Sequence, residues 1–139
     1  MKNNAHETEL DISHKLNQYE LATWLVHLNR IQTELRSLIK MCSFNIDDEI
    51  DSTQYLQVLE EKEFACIELN QLLKAYKKEK PDELLCEESG CDLDLLKTHE
   101  NYRAKYISFL TDYRKLKNKI YAELSGKKFR MRGLSVPYS

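Results

Sequence analysis

The amino-acid sequence predicts an all-α protein, an elongated antiparallel three-helix bundle with coiled-coil-like seams. Three observations lead there. Glycine and proline, the residues that interrupt helices, are nearly absent: none precedes Pro81, and only Gly90, Gly126, Gly133 and Pro137 follow it. Apolar residues recur at heptad spacing through three long stretches. Turn chemistry separates the stretches, first an acidic segment at 45–50 and then a segment holding Pro81, Ser89 and Gly90.

Helix one is expected over about 9–44. Thr8 followed three residues later by Asp11 resembles a capping box, in which each side chain satisfies a backbone N–H of the first turn. Leu21, Leu28, Leu35 and Cys42 then form one heptad row, Trp24, Ile31 and Leu38 a second, and Leu25 and Ile39 widen the stripe. Helix two is expected over about 52–80, opened by Asp51 with Gln54 and closed by Pro81, which cannot continue a helix. Its seam is Leu59, Cys66 and Leu73 beside Tyr55, Leu69 and Tyr76, flanked by Val58, Ala65 and Leu72. Helix three is expected over about 92–125, capped by Asp92 and stopped by Gly126 in the left-handed conformation that glycine adopts without steric cost. Leu95, Tyr102, Phe109 and Leu116 run beside His99, Tyr106, Tyr113 and Ile120, with Leu96, Leu110 and Leu124 alongside. A bundle domain at 1–126 and a basic and apolar tail at 127–139 follow, and the seven-residue period predicts left-handed supercoiling.

Composition narrows the class. Of 139 residues 42% are hydrophobic and 32% charged, too apolar for a disordered chain and too charged for a membrane span, so no membrane contact is expected. The first eleven residues carry Glu7, Glu9 and Asp11 where a secretion signal needs a basic and then an apolar stretch. With no such signal, the four cysteines, Cys42, Cys66, Cys86 and Cys91, read as reduced thiols of a cytoplasmic protein.

Net charge is only −2, yet residues 44–96 hold fifteen acidic groups against five basic, and residues 97–139 eleven basic against three acidic. Pairing helices two and three in opposite directions sets Asp51, Glu60 and Glu61 alongside Arg114, Lys115, Lys117 and Lys119, and Lys74, Lys77, Lys78 and Lys80 near Glu87, Glu88, Asp92 and Asp94. Most of the basic charge is then expected to be neutralised inside the fold, which weakens a nucleic-acid reading.

Few constellations offer chemistry. Cys86 and Cys91 enclose a four-residue loop, and His99 follows two helical turns on, the best metal or redox candidate. Two thiols fall short of a closed four-ligand site, and the flanking Glu87 and Glu88 disfavour a thiolate. His99 sits on the core stripe, where a hydrogen-bonded histidine is the commoner outcome. The Glu-x-x-His pairs of a di-iron bundle, a glycine-rich phosphate loop and a nucleophile with its base are all missing from the sequence, so no catalytic residue and no cofactor is expected. The aromatic series Tyr102, Tyr106, Phe109, Tyr113 and Tyr121 reads as core packing at helical spacing.

Two features resist absorption into the core. Ile12, Leu16, Tyr19 and Val26 form a second apolar row nearly opposite the main stripe of helix one, echoed weakly by Leu56, Phe64 and Ile67 on helix two. In the tail, Lys127, Lys128, Phe129, Arg130, Met131 and Arg132 mix basic and apolar residues, and Leu134, Val136 and Tyr138 continue an alternation proper to an extended segment. The expected function is therefore a non-enzymatic helical protein-protein interaction module, homo-oligomeric and serving as adaptor, assembly component or regulator of a larger intracellular complex. Two other readings are a nucleic-acid-associated protein using the basic tail and a metal or redox site at Cys86 and Cys91.

Overall fold

In the computed structural model the described residues are 9–44, 53–79 and 89–135, with side chains described except at 44, 53, 89–92 and 124–135. They form three helices: α1, Glu9–Phe44; α2, Thr53–Glu79; and α3, Ser89–Ser135. Among the described residues there is no strand, and no helix is long and apolar enough to cross a membrane.

The first two helices begin and end within a residue of the expected positions, because Pro81 and the acidic turn are strong local signals. Helix α3 departs from expectation at both ends. It starts at Ser89 and runs through Gly126 and Gly133 to Ser135, and no described glycine has a positive φ. The stop expected at Gly126 is thus corrected. A glycine inside a helix costs only about 1 kcal/mol relative to alanine, and the Lys127, Lys128, Arg130, Met131 and Arg132 around it are good helix formers.

The three stripes meet in one core. Leu21, Trp24, Leu28, Ile31, Leu35, Leu38 and Cys42 of α1 are buried against Tyr55, Leu59, Cys66, Leu69, Leu73 and Tyr76 of α2 and Tyr106, Phe109, Leu110, Tyr113 and Ile120 of α3. Every residue expected on the two heptad rows of α1 and α2 is buried; on α3, Leu95, Tyr102 and Leu116 are half-buried. Helices α1 and α2 approach most closely, and α3 stands further from both. Bulk explains the difference, since α3 packs through Tyr102, Tyr106, Phe109 and Tyr113 while α1 and α2 interlock leucines.

Specific bonds reveal the path of the chain. Arg36 meets Glu63 and Asn29 meets Asn70, so contacts descend α2 as they ascend α1. Tyr76 meets His99 and Tyr55 meets Glu123, again in opposite senses between α2 and α3. Between α1 and α3 the sense is the same, with partners a constant 79 residues apart.

Candidate functional site

The constant offset between α1 and α3 arises from a ladder of polar rungs at heptad intervals. In the first rung Glu20 of α1 faces His99 and Arg103 of α3. Its Oε1 is 2.9 Å from His99 Nε2 and 2.7 Å from Arg103 Nη2, and its Oε2 is 2.9 Å from Arg103 Nε. Arg103 Nη2 also reaches Asn17 Oδ1 at 3.4 Å. Because the guanidinium donates to both oxygens, and His99 adds to the effect, the Glu20 carboxyl is held below its ordinary value. An ionised carboxylate can only accept, so Nε2 of His99 carries the proton. In the neutral ring Nδ1 then accepts from the Tyr76 hydroxyl at 2.8 Å. His99 is 1% exposed and stacks on Trp24, whose other neighbour in the stack is Tyr106, at ring separations of 4.9 and 5.2 Å.

The second rung is His27, hydrogen-bonded through Nδ1 to the Tyr106 hydroxyl at 2.5 Å. Burial lowers the His27 pKa, and the cations of Arg114 and Arg30 lower it further. In the third rung the Tyr113 hydroxyl donates to Glu34 at 2.5 Å, and Lys117 Nζ lies 3.1 and 3.3 Å from its two oxygens. The Tyr113 bond, reinforced by Lys117, keeps the Glu34 carboxyl below its usual range, while burial chiefly drives the Tyr113 phenol up. Helix α2 adds Tyr55 to the set: it donates to Glu123 at 2.5 Å, and burial above all pushes its phenol up to about 12.

This arrangement revises the expected charge layout. Lys117 is held by Glu34 of α1, not by the acidic half of α2, and Arg103 by Glu20. Pairing by charge count alone set Lys117 beside the wrong helix because it carried no register, and it left Arg103 without an assigned partner. The ladder itself was missed except for His99, although Glu20, His27 and Glu34 lie seven residues apart and so do His99, Tyr106 and Tyr113.

The metal reading finds His99 already hydrogen-bonded through both ring nitrogens. Cys86 lies outside the described residues, and Cys91 lies in the first turn of α3 without a described side chain. Among the described residues no group of three or more His, Cys, Asp or Glu side chains is placed to hold a metal ion. The buried thiols are packing groups. Cys66 Sγ lies 3.5 Å from the Leu28 carbonyl, and burial raises its pKa to about 11; burial likewise raises Cys42.

On the far side of α1, Ile12, Leu16, Tyr19 and Val26 are exposed by 48, 62, 74 and 55%. At 100° per residue the four fall within one quadrant of the helix, turned away from the core stripe. On α2, Phe64 is exposed while Leu56 and Ile67 are half-buried, so the weaker row is broken. The tail residues Lys127, Lys128, Phe129, Arg130, Met131 and Arg132 lie on α3, which corrects the extended conformation expected of them. Their backbone groups are used within the helix. A shallow groove between α2 and α3 is lined by Lys62, Ala65, Leu69, Ala104, Ser108 and Phe109 among others.

Comparison with known proteins yields no family: no family model, no curated protein and no solved structure matches the chain.

Proposed function

We propose that the chain is a non-enzymatic helical protein-protein interaction module, an adaptor, assembly component or regulator of a larger complex in the reducing cytoplasm. The observation that carries this reading is the exposed apolar row of α1. A helix in a three-helix bundle needs one buried face, and Ile12, Leu16, Tyr19 and Val26 give α1 a second. Large apolar side chains set in a line along one helix favour an interface, since scattered ones carry no such geometry. The polar ladder supports the same reading from inside. Its members satisfy one another, so the buried histidine and tyrosines fix the alignment of α3 on α1 and leave recognition to the outer surface. No cofactor enters this function. The basic end of α3, Lys127, Lys128, Arg130 and Arg132 with Phe129 and Met131, is a second contact that steers an acidic protein partner.

The test is affinity purification from the native host with the full chain, Leu16→Glu and a truncation after Gly126, each checked for helicity. Loss of the same protein partner from both variants, unaffected by nuclease, supports the module. Recovery that depends on nucleic acid and falls steeply with salt supports the basic end as a phosphate-binding element instead.

A further inference from the structure

We propose that the outer face of α1 pairs with the same face of a second copy, the two helices running antiparallel about a two-fold axis that crosses the outer face at the level of residue 21. This rests on the interaction reading above and names the occupant. Glu9, Ile12, Leu16, Tyr19, Thr23, Val26 and Arg30 succeed one another in alternating steps of three and four residues, and all seven are exposed. That is the spacing of a coiled-coil seam, distinct from the buried one that α1 uses within its own bundle. It extends for about 32 Å at the helical rise per residue.

Charge sets the direction. The seam begins with the carboxylate of Glu9 and ends with the guanidinium of Arg30. A parallel pair would oppose Glu9 to Glu9 and Arg30 to Arg30. The antiparallel pair places each Arg30 over Ile12 of the other copy, within a turn of its Glu9, so opposite charges meet at both ends. The layers between also match in size: Leu16 faces Val26 and Tyr19 faces Thr23, each twice by symmetry. Thr23 turns its hydroxyl back to the Tyr19 carbonyl of its own helix at 3.0 Å, so the layer opposite the Tyr19 ring leaves no threonine hydroxyl without a partner. A two-fold contact of this kind is closed and yields a dimer.

Sedimentation equilibrium of the full chain tests the pairing. The wild type forms a concentration-dependent dimer, and Leu16→Glu abolishes it while circular dichroism stays unchanged. Glu9→Arg and Arg30→Glu each weaken the dimer about three- to tenfold, since each creates two like-charge contacts, and the combined variant recovers to within about threefold of wild type. A combined variant weaker than either single one overturns the antiparallel pairing. So does a wild type that stays monomeric at about 1 mM. If that monomer still captures a protein partner that Leu16→Glu loses, the interaction module survives without self-pairing; if its capture is indifferent to Leu16→Glu, both readings fall.

Discussion

Glu20 connects two side chains in and beside the core, His99 and Arg103, and its loss is felt by both. Replacing it with alanine removes the acceptor of the His99 Nε2–H and the carboxylate partner of Arg103, which should cost about 1–3 kcal/mol in chemical denaturation. Tyr113→Phe removes one hydrogen bond from the Glu34 carboxylate and should cost about 1 kcal/mol, while letting the Glu34 pKa rise toward its ordinary value. The pH dependence follows from the same residues. His27 has its pKa lowered from 6.5 by burial, so the unfolded chain binds its proton more readily than the folded one, and stability falls as pH drops below about 6.5. Glu20 and Glu34 are also lowered, from 4.5, so their contribution is complete above that value and disappears as pH falls through the folded values. Both shifts make acid destabilising, in two stages. His27→Gln should remove the upper stage from a pH series of urea melts and leave the lower one.

Individual residues also show what was legible in the sequence. Leu21, Leu28, Leu35, Leu59, Leu73, Tyr113 and Ile120 could be placed in the core from spacing alone, since a 3.6-residue period leaves them one direction to face. The partners of Glu20, Glu34 and Lys117 could not, because ion pairing depends on which helices adjoin and at what offset, and neither is encoded in charge counts. Cys42 and Cys66 fall between the two cases: their burial followed from their heptad positions, and their raised thiol pKa values follow from burial.

At the level of whole helices, α1 and α2 form the tighter pair and α3 leans on them through aromatic rings and the polar ladder. Leu28→Ala, at the centre of the tight pair and fully buried, should destabilise by about 2–5 kcal/mol. Helix α3 marks the boundary of sequence reading. Its core half was legible from the heptads. Its length was not, because glycine both ends helices and is tolerated within them, and local propensity alone does not choose. Gly126→Ala discriminates. In a continuous helix it should raise stability by up to about 1 kcal/mol, whereas at a left-handed stop it would lower it. The last buried residue described on α3 is Ile120, and the 79-residue offset carries the end of α1 at Phe44 to Glu123. A truncation after Gly126 should therefore leave the thermal midpoint nearly unchanged.

For the whole molecule, the interior and exterior of the bundle divide the work. Inside, the apolar rows and the ladder specify one alignment of three helices; outside, α1 carries a line of large apolar residues that contributes nothing to that core. The outer row was legible in the sequence as four residues on the wrong face, and the structure gives each of them its exposure. What the row meets was not legible, because a surface records its own shape and charge and only indirectly those of its partner. The measurement closest to this question is sedimentation equilibrium of the full chain between about 10 μM and 1 mM, beside Leu16→Glu under the same conditions. Self-pairing through α1 predicts a wild-type mass that climbs from one chain toward two, and a variant that stays at one chain with its helicity intact. A wild type that remains at one chain across the whole range, or a variant that associates as the wild type does, would contradict it.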